Sequence, residues 1–403
     1  MPAAVDIKPV ESDEELRLAT DLMRYVHEPP PSPVGYWLAE NGFQYPGYRR
    51  EHTRIALLKG QVVGALRLTT DTLRIGEARL KMGGLGWVTT HPAHRHKGIC
   101  RALMNDAIHY MAGHGYHVSM LFGIPDMYER FGYTTTLAKH WITVKTPEAL
   151  TFDCTHRSRQ AKPGDLPAIQ RMHDAQENGI ACSLLRSTAH LKNKWRRWDR
   201  WQVLTDDQGK VTAYFYAFPG DGRLEVTEVG VGEFGLCAAV LRQCGQLAQA
   251  QDLGELAVQA PPPHPFAHFM LQFKSQHVMQ IDRDAGGMMR FIDLSEALEC
   301  MVPEWESLLA KHPYQDLRTE CTIVLPATSY RIRANRGAVD VAATNGKNKI
   351  GMSERDLMHL LTGYRYLDDV ADYTRNCVSP SARALLAACF PKRCPFVWHF
   401  DRF

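Results

Sequence analysis

The chain has 403 residues, 45% of them hydrophobic and 23% charged, a composition that excludes a disordered or fibrous protein and supplies two or three hydrophobic cores. Its 47 Lys and Arg against 44 Asp and Glu leave a formal charge of +3, too balanced for a nucleic-acid or membrane-surface protein. An acidic start (Asp6, Glu11, Asp13, Glu14, Glu15), apolar runs too short for a span of about 20 residues, and ten cysteines without a C-x-x-C pair lead to the expectation of a cytoplasmic protein with no secretory signal, no membrane span and reduced thiols.

Leu16, Leu18, Leu22, Met23 and Val26 recur at helical spacing, with Ser12 as N-cap and the Pro-rich 29–33 as a stop, so the first predicted element is a helix over 12–27. Residues 54–58 and 61–69 around Lys59-Gly60 predict a hairpin, and 78–90 a further strand. Ile99, Leu103, Ala107, Ile108 and Met111 share one face of a helix over 98–112, and 117–122 predicts a short buried strand. Lys145-Thr146-Pro147 breaks the pattern and closes one α/β unit. A related order then restarts: a helix after Gly164-Asp165, strands near 202–204, 211–218 and 224–229, a helix over 234–250 and a strand over 255–260. This reads as a diverged internal duplicate. From Gly287 a strand over 288–294, a helix beginning at 296–300, and a hairpin of 319–325 with 330–334 predict a small closing α+β unit. The expected divisions are therefore 1–150, 151–286 and 287–403.

The segment Trp87 to Leu103 combines a strand, a basic turn and a helix, an arrangement suited to a pyrophosphate. Unpaired N–H groups and the positive dipole end at the Gly98 helix start form an anion site. Arg95, His96 and Lys97 add positive potential, and Gly98 permits close backbone approach. A strand splaying from its neighbour before this turn would hydrogen-bond an extended amide chain such as pantetheine. The alternative is a solvated basic loop capping an amphipathic helix. His91, His94 and His96 lack an accompanying carboxylate or thiol at metal-ligand spacing, so no metal is expected. Cys100 reads as a packing residue rather than a nucleophile.

Arg95-His-Lys-Gly98-Ile-Cys100 resembles the motif [Q/R]-x-x-G-x-[G/A] with which the GNAT superfamily cradles coenzyme A, with Cys100 departing from the usual Gly or Ala. Pro125 to Tyr133 resembles the GNAT segment that sets a tyrosine beside the acetyl thioester. The resemblance assigns Tyr128 as proton donor to the departing thiolate; an aromatic core cluster with Phe131 and Tyr133 is the competing reading. It also implies that acetyl-CoA is held by Trp87, Val88, Thr89, Thr90, Arg95, His96, Lys97, Gly98, Ile99, Cys100, Gly123 and Ile124, with a backbone N–H at 88–90 stabilising the oxyanion.

Over its whole length the chain resembles the enhanced intracellular survival acetyltransferases. Gly287 to Leu294, Asp356 to Gly363 and Phe390 to Phe403 look like that family's last domain, and 232–250 lacks a coenzyme A motif. The implied fold class is α/β and α+β: tandem GNAT folds, each a mixed central sheet flanked by helices, then a sterol-carrier-protein-like C-terminal domain. The resemblance further implies a homo-hexamer, acetyl transfer to a small polyamine or aminoglycoside-like amine, and the Phe403 carboxylate as proton acceptor. The competing reading for Trp398, Phe400 and Phe403 is anchoring of the tail, and the Pro29–Gly42 loop is expected to line the acceptor pocket. Transfer of another acyl-CoA group, as in N-myristoyltransferases, and a non-catalytic coenzyme A sensor or apolar-ligand carrier are the alternative functions. Retention of Tyr128 and an end at Phe403 favour catalysis.

Overall fold

The computed structural model describes residues 5–27, 47–154, 156–187, 189, 191, 198–311, 313–370 and 378–403. In chain order the strands are β1 (Asp6–Pro9), β2 (Thr53–Leu58), β3 (Gln61–Ile75), β4 (Ala78–Thr90), β5 (Val118–Gly123), β6 (Thr134–Leu137) and β7 (Lys139–Lys145). They continue with β8 (Arg157–Gln160), β9 (Ile180–Ala181), β10 (Ser183–Leu184), β11 (Trp201–Thr205), β12 (Val211–Pro219), β13 (Leu224–Val231), β14 (Glu255–Gln259) and β15 (Gln276–Gln280). The last are β16 (Gly286–Phe291), β17 (Arg318–Val324), β18 (Ser329–Asn335), β19 (Ala338–Ala342), β20 (Lys349–Gly351) and β21 (Cys394–Pro395).

The first sheet runs β1-β2-β3-β4-β5-β16-β6, with β10 added to the far end of β3. The second runs β15-β7-β14-β13-β12-β11-β8, and a third runs β19-β18-β17-β20. The first two sheets follow one plan: an antiparallel run, one parallel pair (β4 with β5, β13 with β14), then two antiparallel strands. They also exchange strands. β7 leaves the first unit to lie between β14 and β15, and β16 returns to lie between β5 and β6. The expected divisions at 150 and 286 therefore do not coincide with sheet membership. Strand patterning marks a segment as extended, whereas its partner is chosen by non-local packing.

Helix α1 (Asp13–His27) packs Ala19 and Met23 against Ile55 and Ala65 on one face of the first sheet. Helix α2 (Ile99–Gly113) packs Ile99, Leu103, Met104, Ala107 and Met111 against Leu66, Leu68 and Leu85 on the other. The three- and four-residue steps of each helix and the two-residue alternation of the strands produce this sandwich. In the second unit, α3 (Leu166–Gln176) covers Trp201, Val203 and Tyr214, and α4 (Leu236–Gln249) covers Leu204, Phe215 and Val226. The closing α+β unit shares its core with the outer part of the first sheet, where Trp305, Leu357 and Leu386 meet Leu73, Leu80 and Met82.

The final segment crosses both units. β21 pairs in parallel with β9, and Phe396 N–H donates to Ala181 O at 2.9 Å. Phe396 and Trp398 fill the second unit's core, and Trp398 Nε1 donates to Glu177 at 2.6 Å. Phe400 meets Trp201 edge-on at 5.2 Å. Arg402 and Phe403 then return to the first sheet, lying 4.8 and 5.8 Å from the Phe122 ring.

Candidate functional site

β4 and β5 pair from Met82 and Val118 only as far as Leu85 and Leu121, although β4 runs on to Thr90 and β5 to Gly123. The two strands thus open into a wedge. A register shift opposite Ala65 and Arg67, with Trp87 at φ 56°, puts a bulge into β4 as the wedge begins. Such a bulge turns the strand away from its neighbour and re-aims its backbone. The expected splay before the basic turn is present.

Beyond the wedge, His96 (φ 62°) and Gly98 (φ 81°) bend the chain into α2. Gly98 is the N-cap and has no side chain with which to cap the N–H groups of the first turn. A Cβ at Gly98 would meet nothing within 4 Å, so the backbone there faces open space. A cavity of about 770 Å³ occupies this region, lined from β4 by Val88 and Thr90, from the turn and α2 by Arg95, His96, Gly98, Ile99, Cys100 and Arg101, and from the β5 side by Ile124, Met127 and Tyr128. Its size is that of a small-molecule or cofactor site.

Most of the predicted residues are gathered here. Four of the residues expected to hold coenzyme A are displaced from the cavity wall. Trp87 packs with the α1 core, Lys97 Nζ donates to Ala93 O at 3.2 Å, Gly123 lies under the Tyr128 ring, and buried Thr89 donates to Trp87 O at 2.7 Å. Among the described residues no group of three or more His, Cys, Asp or Glu side chains converges as a metal-ligand set. His91 instead stacks on Tyr25 at 5.7 Å and accepts from Ala93 N–H. Burial raises the Cys100 pKa, which keeps it a thiol and argues against a nucleophile.

Tyr128 is 8% exposed and opens the turn Glu129–Phe131, with its ring 6.4 Å from that of Tyr133. A Cβ on Gly123 would lie 2.6 Å from its ring, so the absent side chain is what admits the tyrosine to the wedge. Burial, with smaller contributions from Cys100 and Tyr133, pushes the Tyr128 pKa well above its ordinary value. The group is a neutral phenol and a hydrogen-bond donor. It belongs at once to the aromatic cluster and to the cavity wall.

Phe403 reaches the opposite face of β4. A Cβ at Gly84 would lie 2.6 Å from its ring, and one at Gly86 would lie 2.9 Å from its carboxyl carbon. Buried Arg67 pairs directly across from Gly86 and shares that face. Tyr128 thus lies against Gly123 at the end of β5, and the backbone carbon of Phe403 lies against Gly86 on the other face of β4.

His27 was not singled out by sequence. It ends α1, lines the cavity, and sets Nε2 3.1 Å from Thr89 Oγ1. Burial lowers its pKa, against a hydrogen bond to the Val88 backbone that acts the other way, so a neutral imidazole faces the site. No local pattern reveals this placement. Gly83, Gly84 and Gly86 did carry a signal, because glycines inside a strand mark close approach of another group. The Pro29–Gly42 loop lies outside the described residues.

Residues 6–136 match the family described as acetyltransferase (GNAT) domain. The chain carries a GNAT acetyltransferase domain, and it is an acyltransferase. The GNAT fold extends beyond that match, since solved structures align along the whole chain. A GCN5-related N-acetyltransferase from Kribbella flavida aligns with a TM-score of 0.75 at 14% identity, covering 100% of this chain and 99% of that one. Another from Anabaena variabilis aligns at 0.72 and 13%, covering 99% and 100%. Eis1 from Mycobacterium abscessus aligns at 0.65 and 16%, also covering 99% and 100%. Identities this low establish the shared fold. No curated protein matches by sequence. Among the described residues no helix is long and apolar enough to cross a membrane.

Proposed function

We propose that the chain transfers acetyl from acetyl-CoA to a primary amine of a small polyamine or aminoglycoside-like acceptor by direct attack. The observation that carries this reading is the wedge between β4 and β5, open toward the α2 N-terminus, with Tyr128 against Gly123 of β5 and the backbone carbon of Phe403 against Gly86 of β4. The first turn of α2, Arg95 and His96 would hold the pyrophosphate, while the freed edge of β4 would bond the pantetheine amides.

A neutral amine attacks the thioester carbonyl carbon, forming the C–N bond, and the C–S bond breaks as the tetrahedral intermediate collapses. The amine proton passes to the Phe403 carboxylate. The departing sulfur takes a hydrogen bond, and then the proton, from Tyr128. The high pKa of this phenol keeps it protonated until a desolvated thiolate forms beside it. Backbone N–H groups at 88–90 would carry the oxyanion, and orientation of the two reactants supplies most of the remaining rate enhancement.

The closing unit is proposed to be sterol-carrier-like and the assembly a cytoplasmic homo-hexamer, both on resemblance; light scattering on the purified chain tests the assembly. The activity is tested by thiol release from acetyl-CoA with a panel of aminoglycosides and polyamines. Turnover of at least one amine is expected. Binding of acetyl-CoA without turnover of any, alongside turnover of a longer acyl-CoA, would overturn the acetyl assignment.

A further inference from the structure

Three ionisable side chains that do not line the cavity are enclosed between the second sheet and the end of the chain. Arg186 donates to both oxygens of Glu228, at 2.6 and 2.8 Å, and to both oxygens of Asp401, each at 2.8 Å. The Arg186 and Glu228 side chains are 0% exposed and that of Asp401 is 1% exposed. Tyr214 donates to Glu228 at 3.1 Å, and His173 Nδ1 stands 3.6 Å from the same carboxylate. One guanidinium thus joins β13, which carries Glu228, to the last turn of the chain.

Such a network is an inefficient way to add stability, because well-packed apolar side chains serve as well without the desolvation penalty. What it fixes is position. A guanidinium held by two forks has no freedom to rotate, so the Asp401 carboxyl group is located by β13. Only Arg402 separates Asp401 from Phe403, and a two-residue reach is at most about 7 Å. The Arg402 guanidinium over Phe122 and the Phe403 ring on Gly84 remove the remaining slack.

We propose that Glu228, Arg186 and Asp401 are positioning residues for the proton acceptor, through which the second sheet sets the Phe403 carboxylate against Gly86 in the first. This rests on the reading of that carboxylate as the base. It gives the second unit, which has no coenzyme A motif, a part in the reaction: it is the fixed frame against which the chain end is registered.

The test compares Asp401→Asn with wild type in two backgrounds, the normal chain end and a chain extended by several residues beyond Phe403. Acetyl-CoA is the donor, spermine and kanamycin are the acceptors, and amide hydrogen exchange of residues 399–403 is followed in parallel. With the normal end, Asp401→Asn is expected to lower kcat by roughly 10- to 100-fold, to leave acetyl-CoA affinity unchanged, and to speed exchange at the chain end. In the extended background the same substitution is expected to add nothing to the loss. Asp401→Glu, which keeps the charge but lengthens the side chain, should also lower kcat, and it takes the place of Asp401→Asn should that variant not fold. Equal losses in both backgrounds, unchanged exchange and kcat in a folded variant, or failure of both variants to fold would overturn the proposal. An extended chain with full kcat would instead overturn the base assignment.

Discussion

The carboxyl carbon of Phe403 stands 2.9 Å from the point that a Cβ on Gly86 would occupy. No side chain fits between them, so the chain end and the strand carrying the bulge touch directly. Gly86→Ala is therefore expected to displace the carboxylate while leaving the cavity on the α2 face unchanged. A shift of about 1 Å should lower kcat by roughly 10²-fold with little effect on acetyl-CoA affinity. Steady-state kinetics alongside calorimetric binding checks it; a loss confined to binding would contradict the assignment.

Tyr128→Phe removes only the phenolic oxygen. The ring keeps its packing with Tyr133 and Phe131, so folding should be preserved. Loss of the donor is expected to reduce kcat by about 10²- to 10⁴-fold, a range typical of general acid catalysis. Equal turnover by Tyr128→Phe would return the residue to a purely structural role.

Binding of the donor should respond separately. Arg95→Ala is expected to weaken acetyl-CoA binding by roughly 10-fold at low salt, and by less as ionic strength rises. Gly98→Val forces a β-branched residue to φ 81°, a strain of about 1–3 kcal/mol that should also distort the turn. Titrations at two salt concentrations separate the electrostatic loss from the geometric one.

Stability should fall on mild acidification. Burial lowers His52, His140 and His359 to about 4. Between the ordinary histidine value of about 6.5 and these folded values the unfolded chain binds more protons, so stability is lost as pH falls through that window. The slope is up to about 1.4 kcal/mol per pH unit for each histidine. Thermal unfolding from pH 7 to pH 5 checks it. The Nε2 of His359 lies 3.0 Å from both Thr134 Oγ1 and Thr135 O, tying the closing unit to β6. His359→Leu should flatten part of the pH dependence.

Local elements were readable where the pattern is local. The predicted 78–90 strand is β4, and the helix predicted over 98–112 is α2 within one residue at each end, because spacing of Leu103, Ala107 and Met111 fixes a helical face. The turn at Arg95 to Gly98 was visible as a basic turn with glycine before a helix, a pattern that alone also fits a solvated loop capping that helix. What escaped was long-range: β7 and β16 read as strands of their neighbourhoods, and His27 and Arg186 carry no local mark of where their side chains end. Arg186 lies 42 residues from one partner and 215 from the other. Sequence proximity holds no information about such contacts.

The exchange of β7 and β16 has a consequence for the order in which the molecule can be made. Until residues 286–291 leave the ribosome, β5 lacks its outer neighbour and β6 lies unattached, although the residues of the cavity were synthesised long before. At roughly 5–20 residues per second that interval is on the order of 10 s. The nascent first sheet spends that interval with the outer edge of β5 unpaired, so folding yield is expected to depend on translation speed between residues 137 and 286 more than elsewhere.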